Sequence, residues 1–249
     1  MSNGGKAVSQ GDGGARAGVR YYKRDFWSKE NLKYDRPHFR MQKSARIIRK
    51  IAGDRPQSLL DVGCGPAALK QLLPPNIDYY GIDIAIQSPA PYLVESDFLE
   101  SRISIGDKKF AIVIAQGVFE YVGALQPQKF AEIAGILEPG GTFIASYVNF
   151  AHRQRDIYWP YSNIQSPEDF RASLADHFVI RRVIPTSHNW NHGEPNRRII
   201  QAANMHLNVN IPYISRVLAV EHFFICSPRR ALPRGGRAVS NAIAAIQVA

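Results

Sequence analysis

Apolar positions along the chain switch between helical and strand spacing, and the switches mark a regular alternation of elements. Arg40–Ile51 carries apolar or small residues at Met41, Ala45, Ile48 and Ile51, close to helical period. Ser58–Val62 is a short apolar run ending at Gly63 and predicts a first strand. Ala67–Leu73 predicts a helix stopped by Pro74 and Pro75. Tyr79–Ile82 and Tyr92–Glu95 predict a second and third strand. Phe110–Ala115 (FAIVIA) is apolar throughout, as a strand covered on both faces should be. Pro127–Leu137 predicts a helix, Glu138-Pro139-Gly140-Gly141 a turn, and Thr142–Tyr147 a fifth strand. Ser166-Pro167-Glu168-Asp169 has the order of a helix start: a capping serine, a first-turn proline, then acids. Phe178–Ile184 and Val220–Cys226 complete seven strands.

Strands alternating with helices predict an α/β fold, a doubly wound and mainly parallel seven-stranded sheet in one domain over residues 19–228. Residues 1–18 are rich in Gly and Ser and hold too few apolar groups to offset ordering entropy, so a disordered tail is expected. Residues 229–249 read as a low-complexity tail. No run approaches the ~18 apolar residues of a membrane span, and the N-terminus lacks the apolar core of a secretory signal. Cys64 and Cys226 imply no disulfide framework. A cytoplasmic protein without a membrane partner is the expectation; its oligomeric state is not readable.

The net charge of +10 raises nucleic acid as a partner. Much of it lies at the ends. Residues 1–24 set Lys6, Arg16, Arg20, Lys23 and Arg24 against Asp12, and residues 227–249 hold Arg229, Arg230, Arg234 and Arg237 with no acid. The remainder carries only +2, which argues against a nucleic-acid enzyme. Lys29, Lys33, Arg36, Arg40, Lys43, Arg46, Arg49 and Lys50 crowd the first predicted helix region and read as a solvated face. Docking of a phosphate-bearing substrate or acidic carrier protein is the other reading of that cluster.

The chemistry concentrates in Leu59-Leu60-Asp61-Val62-Gly63-Cys64-Gly65-Pro66-Ala67, a strand running into a glycine turn before a helix. Glycines permit the tight turn and a ligand's close approach to the backbone. Gly63, Gly65 and Ala68 also satisfy the dinucleotide pattern G-x-G-x-x-G/A. Three acids add information. Asp61 stands beside the turn, where a carboxylate suits an ammonium better than a pyrophosphate. Asp83 closes a strand 20 residues after Gly63, where an acid can accept from both ribose hydroxyls. Asp97, followed by Phe98, lies after the third strand, where it can accept from an adenine amino group. Each acid also has a structural alternative: a turn cap, a loop start, a helix N-cap.

Taken in order, LLDVGCGPA, GIDI, SDFLE, FAIVIAQGVFEYV and LEPGGTFIASY resemble the motifs of class I S-adenosylmethionine (SAM) dependent methyltransferases, over about Leu59 to Tyr147. The resemblance implies that SAM is the cofactor and that the last strand of the sheet is antiparallel. It places the methionine part of SAM at Asp61, Gly63, Cys64 and Gly65, ribose at Asp83 with Ile84, and adenine at Asp97 with Phe98. Gln116, past the fourth strand, would line the methyl-donor side. Three positions depart from the pattern: Ala67 replaces a frequent glycine, Ala111 a frequent Asp, and Tyr121 a frequent His.

SAM brings its own leaving group, so the protein should contribute chiefly alignment, worth up to ~7–11 kcal/mol in favourable cases. Neither a metal nor a His/Cys cluster with metal spacing is expected. Tyr21, Tyr22, Trp27, Phe119 and Tyr121 are candidates for an aromatic wall near the sulfonium, or are core. The segment Tyr147–Tyr161 is the expected acceptor pocket, with Arg153 and Arg155 available to an anionic acceptor. His152 is the candidate catalytic base, with Asp156, His188 and His192 as other choices. The expected reaction methylates an O or N nucleophile of a small molecule. Alternatives are RNA methylation, SAM binding without turnover, and an NAD-dependent oxidoreductase, which would explain the glycines and Asp83 but neither Asp61 nor Asp97.

Overall fold

The computed structural model describes residues 24–152, 165–188, 205–206 and 219–229. Seven strands form one sheet: β1 Gln57–Val62, β2 Ile77–Asp83, β3 Leu93–Glu95, β4 Phe110–Ala115, β5 Leu137–Val148, β6 Phe178–His188 and β7 Ala219–Pro228. Their order is β3-β2-β1-β4-β5-β7-β6. Strands β1 to β5 pair in parallel, and β7 runs antiparallel to both neighbours. The order reverses between β1 and β4, so the chain leaves the carboxyl ends of these two strands in opposite directions. A crevice opens there, as in other open α/β sheets.

Helices cover both faces. On one, α2 (Phe39–Ala52) and a 3-10 turn at Ala68–Leu72 bring Met41, Ala45, Ile48 and Leu69 onto Leu59, Ile112, Ile114 and Ile144. On the other, α3 (Gln126–Ile136) and α4 (Pro167–His177) pack Phe130, Ile133, Phe170 and Leu174 against Val113, Phe143 and Phe224. α4 starts as its sequence predicts. Ser166 accepts from the Asp169 backbone while Asp169 accepts from that of Ser166, a reciprocal capping box.

Three expectations need correction. The helix expected at Ala67–Leu73 is only a 3-10 turn over Ala68–Leu72, and Ala67 before it is left-handed (φ 56°). A Cβ disfavours that conformation, so a glycine there would serve backbone freedom rather than close packing. The turn expected at Glu138–Gly141 lies inside β5, where Leu137 pairs with Phe110 and Thr142 with Ile112. Three extra residues are thus absorbed as a bulge, with Gly140 at φ 82°. Finally, the basic cluster is not all solvated. Lys43 is fully buried and donates to the carbonyl oxygens of Pro185 and Thr186 (3.0 Å to the latter), and Arg40 turns inward to Glu221.

A first helix, α1 (Arg24–Glu30), and a 3-10 turn at Asn31–Tyr34 precede α2 and had no counterpart in the apolar pattern. The expected tails, apart from Arg229, and residues 153–161 of the acceptor segment lie outside the described residues. No helix among the described residues is long and apolar enough to cross a membrane.

Replacing Lys43 by Met keeps the side-chain volume but strips two strand β6 carbonyls of their donor. Urea unfolding at pH 7 should show a loss of about 1–3 kcal/mol; an unchanged midpoint would mean those carbonyls find another donor.

Candidate active site

A cavity of about 510 Å³ lies along the carboxyl edge of the sheet, within the size range of cofactor sites. Its lining follows the strand order. Asp97 and Phe98 follow β3, Asp83 and Ile84 end β2, Asp61, Gly63, Cys64 and Gly65 end β1, and Gln116 follows β4. All nine residues picked from the sequence as cofactor ligands therefore share one cavity. Trp27 and Tyr121 of the candidate aromatic wall also line it, with ring centroids 5.3 Å apart. Phe119 does not; it is buried among Phe130, Phe143 and Phe170.

The turn after β1 is built by backbone constraints. Gly63 (φ 71°) and Gly65 (φ 53°) are both left-handed, and a Cβ on Gly63 would meet Val118 Cγ2 at 2.5 Å. Gly63 is thus required by the protein's own packing as well as by its φ. Cys64 tucks its sulfur against Gly81, and burial pushes its thiol well up, so it is a packing group rather than a thiolate.

Asp83 is the most heavily bonded of the acids that line the cavity. Its Oδ2 accepts from Gly65 N–H (2.8 Å), and its Oδ1 accepts from Ala85 N–H (2.9 Å) and Asn31 Nδ2 (3.2 Å). Burial raises its pKa, while those three donors oppose the shift. Asp61 is 3% exposed and accepts from the Tyr79 hydroxyl at 2.9 Å. Burial pushes it up to about 7, the Tyr79 bond holding against that. Asp97 is less committed to the cavity: its Oδ1 accepts from Leu99 N–H, the capping role foreseen as its alternative.

The cavity also contains residues the sequence did not single out. Asn31 bridges Asp83 and the Ala85 carbonyl. Arg24 pairs with Glu95 (2.7 Å) and Gln87 reaches the Ser28 carbonyl, so the segment from α1 to Tyr34 is strapped along the rim. Arg40 enters from α2 with Nη1 on Glu221 (3.2 Å); its burial works against its charge, and Glu221 and Glu120 more than offset that. Arg40, Lys43 and Ile47 form a helical stripe, the one sequence signal that points them inward. Glu120 is 3% exposed and accepts from Val148 N–H with Oε1 (3.0 Å).

The base and acceptor candidates fare differently. His152 ends a 3-10 turn (Phe150–His152) after β5, and His188 ends β6; the side chains of both lie outside the description. Tyr21, Tyr22, Arg153, Arg155, Asp156 and His192 lie outside the described residues altogether. Tyr147 is not a pocket residue: it is fully buried and stacked on Phe170 (4.3 Å). Val148 and Phe150 do line the cavity. Among the described residues no cluster of His, Cys, Asp and Glu is placed to hold a metal ion.

A methyltransferase domain family model matches residues 36–177. The chain belongs to this methyltransferase family. The match spans the motifs that suggested class I methyltransferases, and the sheet order with its antiparallel β7 agrees. Solved structures similar in fold include a Haloferax volcanii protein in complex with the Trm112 methyltransferase activator (15% identity, 83% of this chain and 97% of that one, TM-score 0.60). Others are a SAM-dependent methyltransferase of Archaeoglobus fulgidus (16%, 84% and 100%, 0.56) and the N-methyltransferase NodS of Bradyrhizobium japonicum with S-adenosylhomocysteine (12%, 84% and 98%, 0.54). No curated protein matches the sequence.

The raised pKa of Asp61 makes stability pH-dependent. Between the ordinary carboxylate range and pH 7 the folded protein holds a proton that the unfolded chain has released, so stability falls as pH rises through this window. A shift of this size corresponds to as much as about 4 kcal/mol. Urea midpoints of the ligand-free protein should drop from pH 5 to pH 8, and less steeply in Asp61→Asn, which keeps an acceptor for Tyr79. Parallel pH curves in the two proteins would contradict the assignment.

Proposed function

We propose that the protein transfers a methyl group from SAM to an N or O nucleophile of a small-molecule acceptor, with the rim from Asp97 to Gln116 as the cofactor site. The observation that carries this reading is the charge of the cavity. Five acids line it (Glu30, Asp61, Asp83, Asp97 and Glu120) against two cations, Lys33 and Arg40. SAM, with a sulfonium, an ammonium and one carboxylate, is a net cation and suits that lining.

The residues fit SAM group by group. Asp61, with the turn Gly63–Gly65, supports the ammonium. Asp83 has lone-pair capacity left on Oδ2 for a ribose hydroxyl, and Ile84 packs beside the sugar. Asp97 and Phe98 serve the adenine. Gln116 keeps a buried Oε1 with no protein partner, an acceptor in want of a donor on the methyl-donor side. When bound, SAM would supply an electrophilic methyl open to in-line attack by a nucleophile, with the sulfur as leaving group. The chain's part is to hold donor and acceptor aligned and to exclude water, with Trp27, Tyr34 and Tyr121 walling the cavity. His152 remains the sequence-based candidate for a base.

A surplus of acids around the cavity favours a small acceptor over RNA, whose phosphates they would repel. Cytoplasmic placement is proposed on sequence grounds alone.

Asp83→Ala removes a charged acceptor of ribose hydroxyls and should weaken S-adenosylhomocysteine binding by roughly 10–100-fold, from hydrogen bonds of about 1.5–3 kcal/mol each. Calorimetry measures this directly. Unchanged affinity would refute the ribose role, and preference of the wild type for NADH would refute the cofactor. Label transfer from methyl-labelled SAM into pooled small amines and alcohols tests turnover against binding alone.

A further inference from the structure

The end of the cavity beyond Gln116 holds a carboxylate that the cofactor assignment leaves unused. Glu120 is nearly fully buried yet lines the cavity. Its Oε1 is committed to Val148 N–H, while Oε2 has neither a protein partner nor access to solvent. A buried carboxylate oxygen without a donor is costly unless a ligand brings one. Its bond to Val148 sets this carboxylate at the ends of β4 and β5, whereas the adenine-side residues follow β3 at the far edge of the sheet.

The local charges select the donor. The guanidinium of Arg40, from α2, is already engaged by Glu221 of β7 at 3.2 Å, so Glu120 carries the unbalanced charge of the trio. An anionic acceptor would add to an existing excess of negative charge, and a neutral hydroxyl would leave it standing. A protonated amine both donates to Oε2 and cancels the charge. Trp27, Tyr121 and Phe150 line the same end and offer ring surface to an organic cation.

We infer that this end of the cavity is the acceptor site, that it takes an amine, and that Glu120 Oε2 receives the amine's proton before methyl transfer. The inference rests on the SAM reading above. In the step, the ammonium N–H proton passes to Oε2 and frees the nitrogen lone pair. That pair forms the new N–C bond while the C–S bond breaks and its electrons stay on sulfur. The products are a methylated ammonium, a thioether and protonated Glu120, whose proton leaves through the cavity that Glu120 lines as the products depart.

Surroundings tune the group for this task. Burial and the charge of Glu221 push Glu120 up to about 7, with Val148 N–H and Arg40 opposing; Tyr147 of β5, its remaining titratable neighbour among the described residues, is itself held neutral by burial. A carboxylate near 7 is a stronger base than an ordinary one and is still ionised above neutrality.

The test uses the full chain saturated with S-adenosylhomocysteine and three matched probes: 2-phenylethylamine, 2-phenylethanol and phenylacetate. Calorimetry at pH 8 should show the amine binding at least tenfold more tightly than the other two, and at least fivefold more tightly than at pH 6, where Glu120 is protonated. Glu120→Gln keeps an oxygen for Val148 N–H and should abolish both the preference and the pH dependence. Equal binding of amine and alcohol, no amine binding, or a preference that survives in Glu120→Gln would overturn the inference while S-adenosylhomocysteine binding leaves the cofactor reading intact. Failure of the wild type to bind S-adenosylhomocysteine would overturn both. If Glu120→Gln does not fold, the wild-type selectivity and its pH dependence decide alone.

Discussion

The Asp83 carboxylate is the joint on which the rim depends. It stands at the end of β2 but accepts from Gly65 in the turn after β1, from Ala85 in its own loop, and from Asn31 in the N-terminal segment. Three stretches of chain distant in sequence are thereby fixed to one buried group. Hydrogen bonds to a charged acceptor are stronger than neutral ones, and two of these three come from backbone amides with no other strand partner. The glycine turn keeps its left-handed residues because this bond, together with Gly63 N–H on the Ile82 carbonyl, holds it against β2.

Holding such a rim carries an electrostatic cost. Asp61, Asp83 and Glu120 are each nearly excluded from water, and burial raises the pKa of all three. The fold answers with specific partners: Tyr79 for Asp61, backbone amides for Asp83, Val148 N–H and the Arg40 charge for Glu120. The loop after β4 is fixed in the same way, since Ser146 Oγ accepts from Gly117 N–H while Glu120 accepts from Val148. These side chains make the cavity wall rigid and leave it acidic, so a cation entering the cavity relieves a strain that packing created.

The strands and the cofactor rim were readable in the sequence because they depend on local pattern. FAIVIA is apolar on both faces because β4 is central, and its predicted bounds coincide with the structure. The acids Asp61, Asp83 and Asp97 were found because each lies at or just past a strand's carboxyl end, and parallel strands bring those ends to one edge. What escaped was set by distant packing. Asn31 acts across 52 residues on Asp83 with no local signal to distinguish it from a solvated polar residue, and Arg40 acts across 181 on Glu221 with only its place on the Lys43–Ile47 stripe to mark it. Glu120 was not singled out, because its role depends on Val148 and Glu221, on two other strands. The bulge in β5 escaped for a related reason: Pro-Gly-Gly is ordinary turn chemistry, and only the pairing of Leu137 with Phe110 draws it into the sheet.

Charge also separates the two cofactors that this topology can hold. A glycine turn at a switch point, followed by an acid at the end of β2, is common ground between SAM and NAD. A pyrophosphate at that turn would lie near Asp61, whose carboxylate is buried beside Gly63 and within electrostatic reach of Asp83. In a poorly screened cavity such repulsion is far larger than in water. Arg40, the cation that would offset it, is already bound to Glu221. A methionine group places an ammonium at the same point, and the repulsion becomes attraction. The glycines alone fit either cofactor; the buried carboxylates beside them fit the cationic one.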